Sequence, residues 1–328
     1  VLFAHGYTTS AYARKLSAQA FVAGCGAVLL SAISWGFYRA AQAGSWYFVG
    51  PDGGNEGYFL QYSTLSRPFM HPGYLATYLG IALILVFYSL LRGQCSSKIA
   101  GWGLVLFLGL GMIMLQGRMN ILALGVVLGS VVMLEAWRRR RFAWIYVPLL
   151  GLSLVLGGIY QWGPESLTKR YLDFPNFNYD ISSSDLNSAT KRLAIWSSAA
   201  LTLEQEPWLG YGVGDYRNAQ HEMYREVNFK EGLRKGYNAH NQYLETSLAL
   251  GFGGLAFLVL LLVLYGRIYW RRGQGVLVAG LVFFALCMIT ESMLERAWAV
   301  LLFNLFFPFF AARPLPDAES KIAARKRS

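Results

Sequence analysis

Apolar residues in this chain come in long unbroken blocks, not in the alternation of a half-buried strand. A bilayer core about 30 Å thick is crossed by roughly 20 mainly apolar residues in a helix. Eight stretches meet or approach that length: Leu16–Ala41, Gly73–Leu91, Ala100–Gln116, Met119–Trp137, Phe142–Trp162, Gln242–Trp270, Gln274–Thr290 and Ala297–Ala312. The pattern predicts an all-α, polytopic transmembrane helical bundle. The last block is the shortest and contains Pro308. Organisation follows from the gaps. Residues 1–162 hold about five spans with an intervening loop at 42–72, and residues 163–241 form one large loop region. Residues 242–312 hold about three further spans, and 313–328 make a basic tail.

Composition supports this. Hydrophobic residues make up 55% of the 328 positions and charged residues only 14%, against about 25% charged in a soluble domain. The formal charge is +11, and its distribution follows the excess of Lys and Arg in cytoplasmic loops. With the tail inside, Arg14, Lys15, Arg92, Lys98, Arg138–Arg141, Arg267, Arg271 and Arg272 fall on the same side as it does. The whole basic excess then lies in those loops. Loops 42–72 and 163–241 are placed outside, and the charge reports topology instead of nucleic-acid binding. The three cysteines, Cys25, Cys95 and Cys287, sit in or beside apolar runs with no CxxC pairing, which suggests neither a disulfide framework nor a zinc site. The chain begins at Val1, and earlier spans are expected to precede it.

The large loop is rich in aromatics, has prolines at 164, 175 and 207, and contains a helix-like run Ala189–Gln205. Its Asn/Ser stretch Asn176–Ser184 reads as a mobile turn or lid. His240 opens the segment His240-Asn241-Gln242-Tyr243-Leu244-Glu245 before a long apolar helix, with Asn241 and Glu245 within one turn. A neutral imidazole there can accept a proton from a sugar hydroxyl; an interfacial helix cap is the competing reading. His71, ahead of Pro72, can line the same cavity, whereas His5 and His221 read as surface positions. Arg118 lies between two apolar spans with almost no loop, and an arginine so placed is costly without an anion or acid. Arg192 opens the helix-like run. Two guanidiniums on a common cleft suit a diphosphate, with Arg67 a third candidate; the alternative is an ion pair with Glu291 or Glu295. The glycines of Pro207-Trp208-Leu209-Gly210-Tyr211-Gly212-Val213-Gly214 lack the strand and βαβ context of a dinucleotide site and read as a tight turn. There is no HExxH, P-loop or GxSxG, so metal, ATP and serine-nucleophile chemistry lose support.

Taken in order, Gln116-Gly117-Arg118, Arg192-Leu193-Ala194-Ile195-Trp196, Pro207-Trp208-Leu209-Gly210-Tyr211-Gly212, His240-Asn241-Gln242-Tyr243-Leu244-Glu245 and Gly251-Phe252-Gly253-Gly254 resemble the O-antigen ligase and polymerase superfamily, over roughly Arg67 to Phe310. The resemblance implies a multi-pass bacterial inner-membrane glycosyltransferase, GT-C-like, with a large periplasmic loop region. It would transfer O-antigen glycan from undecaprenyl diphosphate to lipid A–core oligosaccharide at the periplasmic face, within membrane lipid and without metal, nucleotide or other cofactor. By matching motifs, His240, Arg118 and Arg192 would be catalytic. Arg67, His71, Asn241, Tyr211 and Tyr237 would bind substrate, the tyrosines by stacking on sugars, a role open to Trp208 as well. Members of the superfamily carry more spans than the eight seen here.

Within the superfamily, a polymerase would extend another lipid-linked chain, and a protein O-oligosaccharyltransferase would modify serine on a pilin-like protein. The latter enzymes tend to carry more sequence after the last span. A transporter or flippase predicts charges deep within spans and paired broken helices. Here the visible spans lack mid-helix acids, and the polar residues gather in one loop.

Overall fold

The computed structural model describes residues 8–9, 11–48, 57–61, 65–66, 69–140, 153, 157, 161, 179–182, 186–311 and 313–314. Nearly all of the expected span Phe142–Trp162, Arg67, most of the stretch Asn176–Ser184 and nearly all of the tail lie outside the described residues. The protein is an all-α polytopic membrane protein. Among the described residues the regular elements are helices and two pairs of two-residue strands, Thr8–Thr9 with Arg313–Pro314 and Tyr47–Phe48 with Gly57–Tyr58.

The helices in chain order are α1 Ala11–Ala43, α2 Pro72–Leu91, α3 Lys98–Met114, α4 Arg118–Arg138, α5 Ser188–Gln205, α6 Gly212–Glu226, α7 Lys230–Lys235, α8 Gln242–Arg271, α9 Gly275–Cys287, α10 Ala297–Leu301 and α11 Phe307–Ala311. Among the described residues four helices are long and apolar enough to cross a membrane: Tyr12–Ala43, Pro72–Leu91, Arg118–Arg138 and Gln242–Arg271. Lys98–Met114, Gly275–Cys287 and Ala297–Ala311 are shorter apolar helices. The last of these widens into a π turn at Leu302–Phe306. That turn runs up to Pro308, which has no N–H for the carbonyl four residues back, so the α ladder cannot continue unchanged.

The chain divides into two compact units. The first comprises residues 1–124, 265–283 and 297–328. Its central element is α2: 61% of its most apolar window is buried, against 22% for α1. The start of α2 is set by Pro72 at the first helical position and by His71, whose Nδ1 accepts from Gly73 N at 3.3 Å. Gly80 lets α2 close on α9, since a Cβ there would come within 2.3 Å of the buried Phe283 ring. Asn120 of α4 is buried and donates to Thr77 Oγ1 at 2.9 Å and Gly73 O at 3.3 Å, which satisfies a polar side chain amid apolar helices.

The second unit comprises residues 125–264 and 284–296. In it α5 and α6 pack on the first turns of α8, and α7 packs on α6. One apolar cluster joins Ala199, Leu203, Tyr216, Ala239, Leu248 and Ala249, and another joins Leu186, Ala194, Ile195, Tyr224 and Phe229. Helix α5 starts at Asn187, whose Oδ1 accepts from Ala189 N and Thr190 N.

Helix α8 is not the continuous span that its apolar run predicts. Gly251 has φ 65° and ψ −168°, and the helix breaks there. An unbroken helix would bond Phe252 N to Leu248 O. Instead Phe252 N donates to Pro207 O and Leu248 O accepts from Tyr211 N, both at 2.8 Å. The glycine-rich turn expected from the sequence therefore exists, with Gly210 at φ 64°, and it completes the hydrogen bonding of a broken helix. The contact is backbone on backbone: a Cβ on Gly251 would lie 2.1 Å from Trp208 O, and one on Gly210 would lie 2.6 Å from Leu248 O.

Gly251→Ala and Gly210→Ala should each lower stability by about 2 kcal/mol or more, since both add steric overlap to a left-handed backbone. Gly212→Ala, left-handed at φ 81° but with open space around the site, should cost less. Thermal unfolding in detergent micelles ranks the three.

Candidate active site

His240 sits in the second unit at the junction between the turn after α7 and the start of α8. Its φ is 45°, a left-handed conformation that a β-carbon disfavours. The surrounding backbone is held on every side. His240 N donates to Asn238 Oδ1 at 3.2 Å, Ala239 N donates to Glu245 Oε2 at 2.9 Å, and Trp196 Nε1 of α5 donates to Ala239 O at 3.1 Å. Asn241 follows as the cap of α8, its Oδ1 accepting from Tyr243 N and Leu244 N at 2.9 and 3.2 Å.

Two of the expected catalytic residues converge on one carboxylate. Arg192 Nη2 lies 3.3 Å from Glu291 Oε1, and His240 Nδ1 lies 3.7 Å from Glu291 Oε2. The second distance is too long for a hydrogen bond but well within the range of charge interaction. The two basic side chains are each 32% exposed while Glu291 is 15% exposed, so the pair opens outward from an acid set behind it. The ion pair anticipated for Arg192 is real, and its partner serves the imidazole as well.

Around this pair stand two further clusters. Glu231 Oε1 accepts from Lys191 Nζ at 2.9 Å and Tyr237 Oη at 3.0 Å. The Tyr237 ring centroid is 6.0 Å from that of His240. Burial, together with the bond to Glu231, pushes the Tyr237 hydroxyl up to about 12. On the other side Glu295 Oε1 accepts from Tyr216 Oη at 2.5 Å and Arg217 Nη2 at 2.8 Å, while Oε2 accepts from Asn238 Nδ2 at 2.6 Å. Burial works against charge on Glu295. The nearby Glu245 carboxyl and hydrogen bonds from Tyr216, Arg217 and Asn238 more than offset it and hold Glu295 well below the ordinary carboxylate range. The bond to Glu295 raises Arg217 in turn.

Residues 102–259 match the O-antigen ligase family model. The chain carries an O-antigen ligase family segment. No curated protein gives a significant match. The segment supports an O-antigen ligase or polymerase type of membrane enzyme, broadly a glycosyl-transfer enzyme of lipopolysaccharide synthesis.

The family segment contains Arg118, Arg192, Tyr211, Tyr237, His240 and Asn241. Of these, Arg192, His240 and Tyr237 come together in the second unit. Tyr211 lies in the same unit, but its hydroxyl donates to Thr202 O and Gln205 Oε1, each at 3.1 Å, and Asn241 spends its side chain on capping. Trp208 packs edge-on against Phe252 with a centroid distance of 6.0 Å. Arg118 and His71 belong to the first unit. Arg118 begins α4 after a turn in which Gln116 is left-handed at φ 54°, and His71 caps α2. Glu291 and Glu295 lie outside the family segment. Reading the sequence named them only as partners for arginines, and the link from Glu291 to His240 was not foreseen. The visible signal was two acids four residues apart in the short gap between two apolar blocks.

The depressed value of Glu295 gives a stability prediction with a definite sign. A carboxylate held down in the folded state stabilises above its ordinary value of about 4.3, and that contribution fades as the pH falls through the folded-state value. Glu295→Gln should therefore lower the unfolding temperature at neutral pH. The gap to the parent protein should narrow as the pH drops below about 4. Unfolding curves across that range check it.

Proposed function

We propose that the protein is an O-antigen ligase: it transfers glycan from undecaprenyl diphosphate to lipid A–core oligosaccharide at the periplasmic face of the bacterial inner membrane, with inversion at the anomeric carbon. The carrying observation is the shared Glu291 carboxylate, which sets an imidazole and a guanidinium side by side within the second unit. His240 is the general base. With Nδ1 facing Glu291, Nε2 is left for the acceptor hydroxyl. The hydroxyl oxygen attacks the anomeric carbon, its proton passes to Nε2, and the carbon–oxygen bond to the diphosphate breaks on the opposite face. Glu291 stabilises the imidazolium that forms, as an acid behind a histidine does in other acyl- and group-transfer enzymes. Negative charge grows on the departing undecaprenyl diphosphate, and Arg192 is placed to stabilise it more in the transition state than before it.

Arg118 is proposed as a second diphosphate ligand, and Arg67 and His71 as donor-binding residues, on the motif resemblance. Tyr237, beside the imidazole, offers its ring to a sugar. Asn241 and Tyr211 are likewise proposed to bind substrate on the motif resemblance, while Asn241 Oδ1 and the Tyr211 hydroxyl also fix backbone. As proposed, the reaction uses no metal or nucleotide.

Purified protein, lipid-linked glycan and two acceptors test the reading. Product on lipid A–core supports the ligase, lengthened lipid-linked glycan selects the polymerase reading, and no glycosyl product on either defeats both. In the productive assay His240→Ala should abolish transfer. Arg192→Lys should lower kcat by about 10²–10³ with little change in KM, since a point charge lacks the guanidinium fork.

A further inference from the structure

The first turn of α8 carries a glutamate that the proposed chemistry does not use. Glu245 is 3% exposed. A buried acid at the head of an apolar helix is costly unless its oxygens are engaged. The engagement of Oε2 is specific. It accepts from Ala239 N and from Ser292 Oγ, each at 2.9 Å. Ala239 precedes His240 and Ser292 follows Glu291. One oxygen therefore ties together the two chain segments that carry the imidazole and the acid facing it.

A second carboxylate works on the same backbone. Glu295, four residues beyond Glu291, accepts from Asn238 Nδ2, and the oxygen of that same Asn238 side chain accepts from His240 N. Gln242 adds a further stitch, accepting from Leu294 N at 2.6 Å while its own N–H donates to Met288 O at 2.8 Å. Residues 238–240 and 288–295 are thus laced together by side chains from the start of α8. The conformation held is one the chain would not choose: His240 at φ 45° persists only where its surroundings over-determine it.

We propose that Glu245, seconded by Glu295, is a positioning residue that holds His240 in its left-handed conformation and in register with Glu291. The inference rests on His240 being the base. Its content is that the base is assembled by an acid that never touches substrate. Loss of the tie lets the 239–240 and 291–292 segments separate, and a displacement of about 1 Å in a reacting group can cost on the order of 10²-fold in rate.

The test uses the full protein in nanodiscs with lipid-linked glycan and lipid A–core. Glu245→Ala should lower kcat about 10–100-fold while KM for the lipid-linked donor stays within about threefold, because the diphosphate ligands are untouched. Glu245→Gln keeps an acceptor oxygen for Ala239 N and Ser292 Oγ and should restore kcat to within about fivefold of the parent protein. Ser292→Ala removes one arm of the tie and should give an intermediate fall in kcat; it carries the test should Glu245→Ala fail to fold. Parental kcat in Glu245→Ala, or in Ser292→Ala where that variant stands in, overturns the proposal, as does a loss that Gln does not rescue or a loss wholly in KM. His240→Ala with parental turnover would sink the base reading and this proposal together. Inactive His240→Ala beside fully active Glu245→Ala would sink this proposal alone.

Discussion

Everything in the second unit hangs on the rule that backbone polar groups within an apolar helix must find partners. Gly251 breaks α8 and frees Leu248 O and Phe252 N. In a lipid environment an orphaned pair of this kind would cost several kcal/mol. The turn 207–211 takes up both groups, which pins the segment between α5 and α6 to the membrane-type helix at a defined height. From that attachment follow the packing of Tyr216 on Leu248 and the approach of Trp196 to Ala239. The left-handed backbone at His240 is held by the same packed unit. A continuous α8 would offer the turn nothing to bind.

Charge in this unit is organised in a consistent way. Arg192, Lys191 and Arg217 each lean on a less exposed carboxylate: Glu291, Glu231 and Glu295. Exposed pairs of this type contribute little to stability, so their worth lies in aim. A partly exposed guanidinium braced by an acid is held in place at little further entropic cost, which suits a ligand as highly charged as a diphosphate. Glu291 differs from the other two acids in also facing an imidazole. That doubling connects an electrostatic brace to acid–base chemistry.

Much of this was visible in the sequence. Among the described residues the apolar blocks gave the helices within a few residues, and the run Ala189–Gln205 emerges as Ser188–Gln205, one residue earlier, because Asn187 caps it. The pairing of Arg192 with Glu291 was among the alternatives the residues left open. What remained hidden has a common cause. Gly251-Phe252-Gly253-Gly254 looks like the small-residue surface that apolar helices use to approach one another, and only the partner turn reveals it as a break. Likewise Asn241 has the residue type and position of an N-cap, and its Oδ1 takes that role beside the substrate role proposed for the residue.

That last point bears on how the site is built. Polar residues near His240 invite assignment to the substrate, yet Asn238, Asn241, Tyr211, Gln242 and Glu245 each commit at least one polar atom to protein backbone. A base on a short connection between two helices has few neighbours of its own along the chain. Its orientation has to be imposed from elsewhere. On the proposed reading, Arg192, the imidazole and the Tyr237 ring are the groups of the second unit that meet the ligand, and many of their neighbours are committed to holding them. If His240 is the base, as proposed, a site so divided places its demand for accuracy on the residues that hold it, and the motif His240-Asn241-Gln242-Tyr243-Leu244-Glu245 supplies both the base and part of its scaffold.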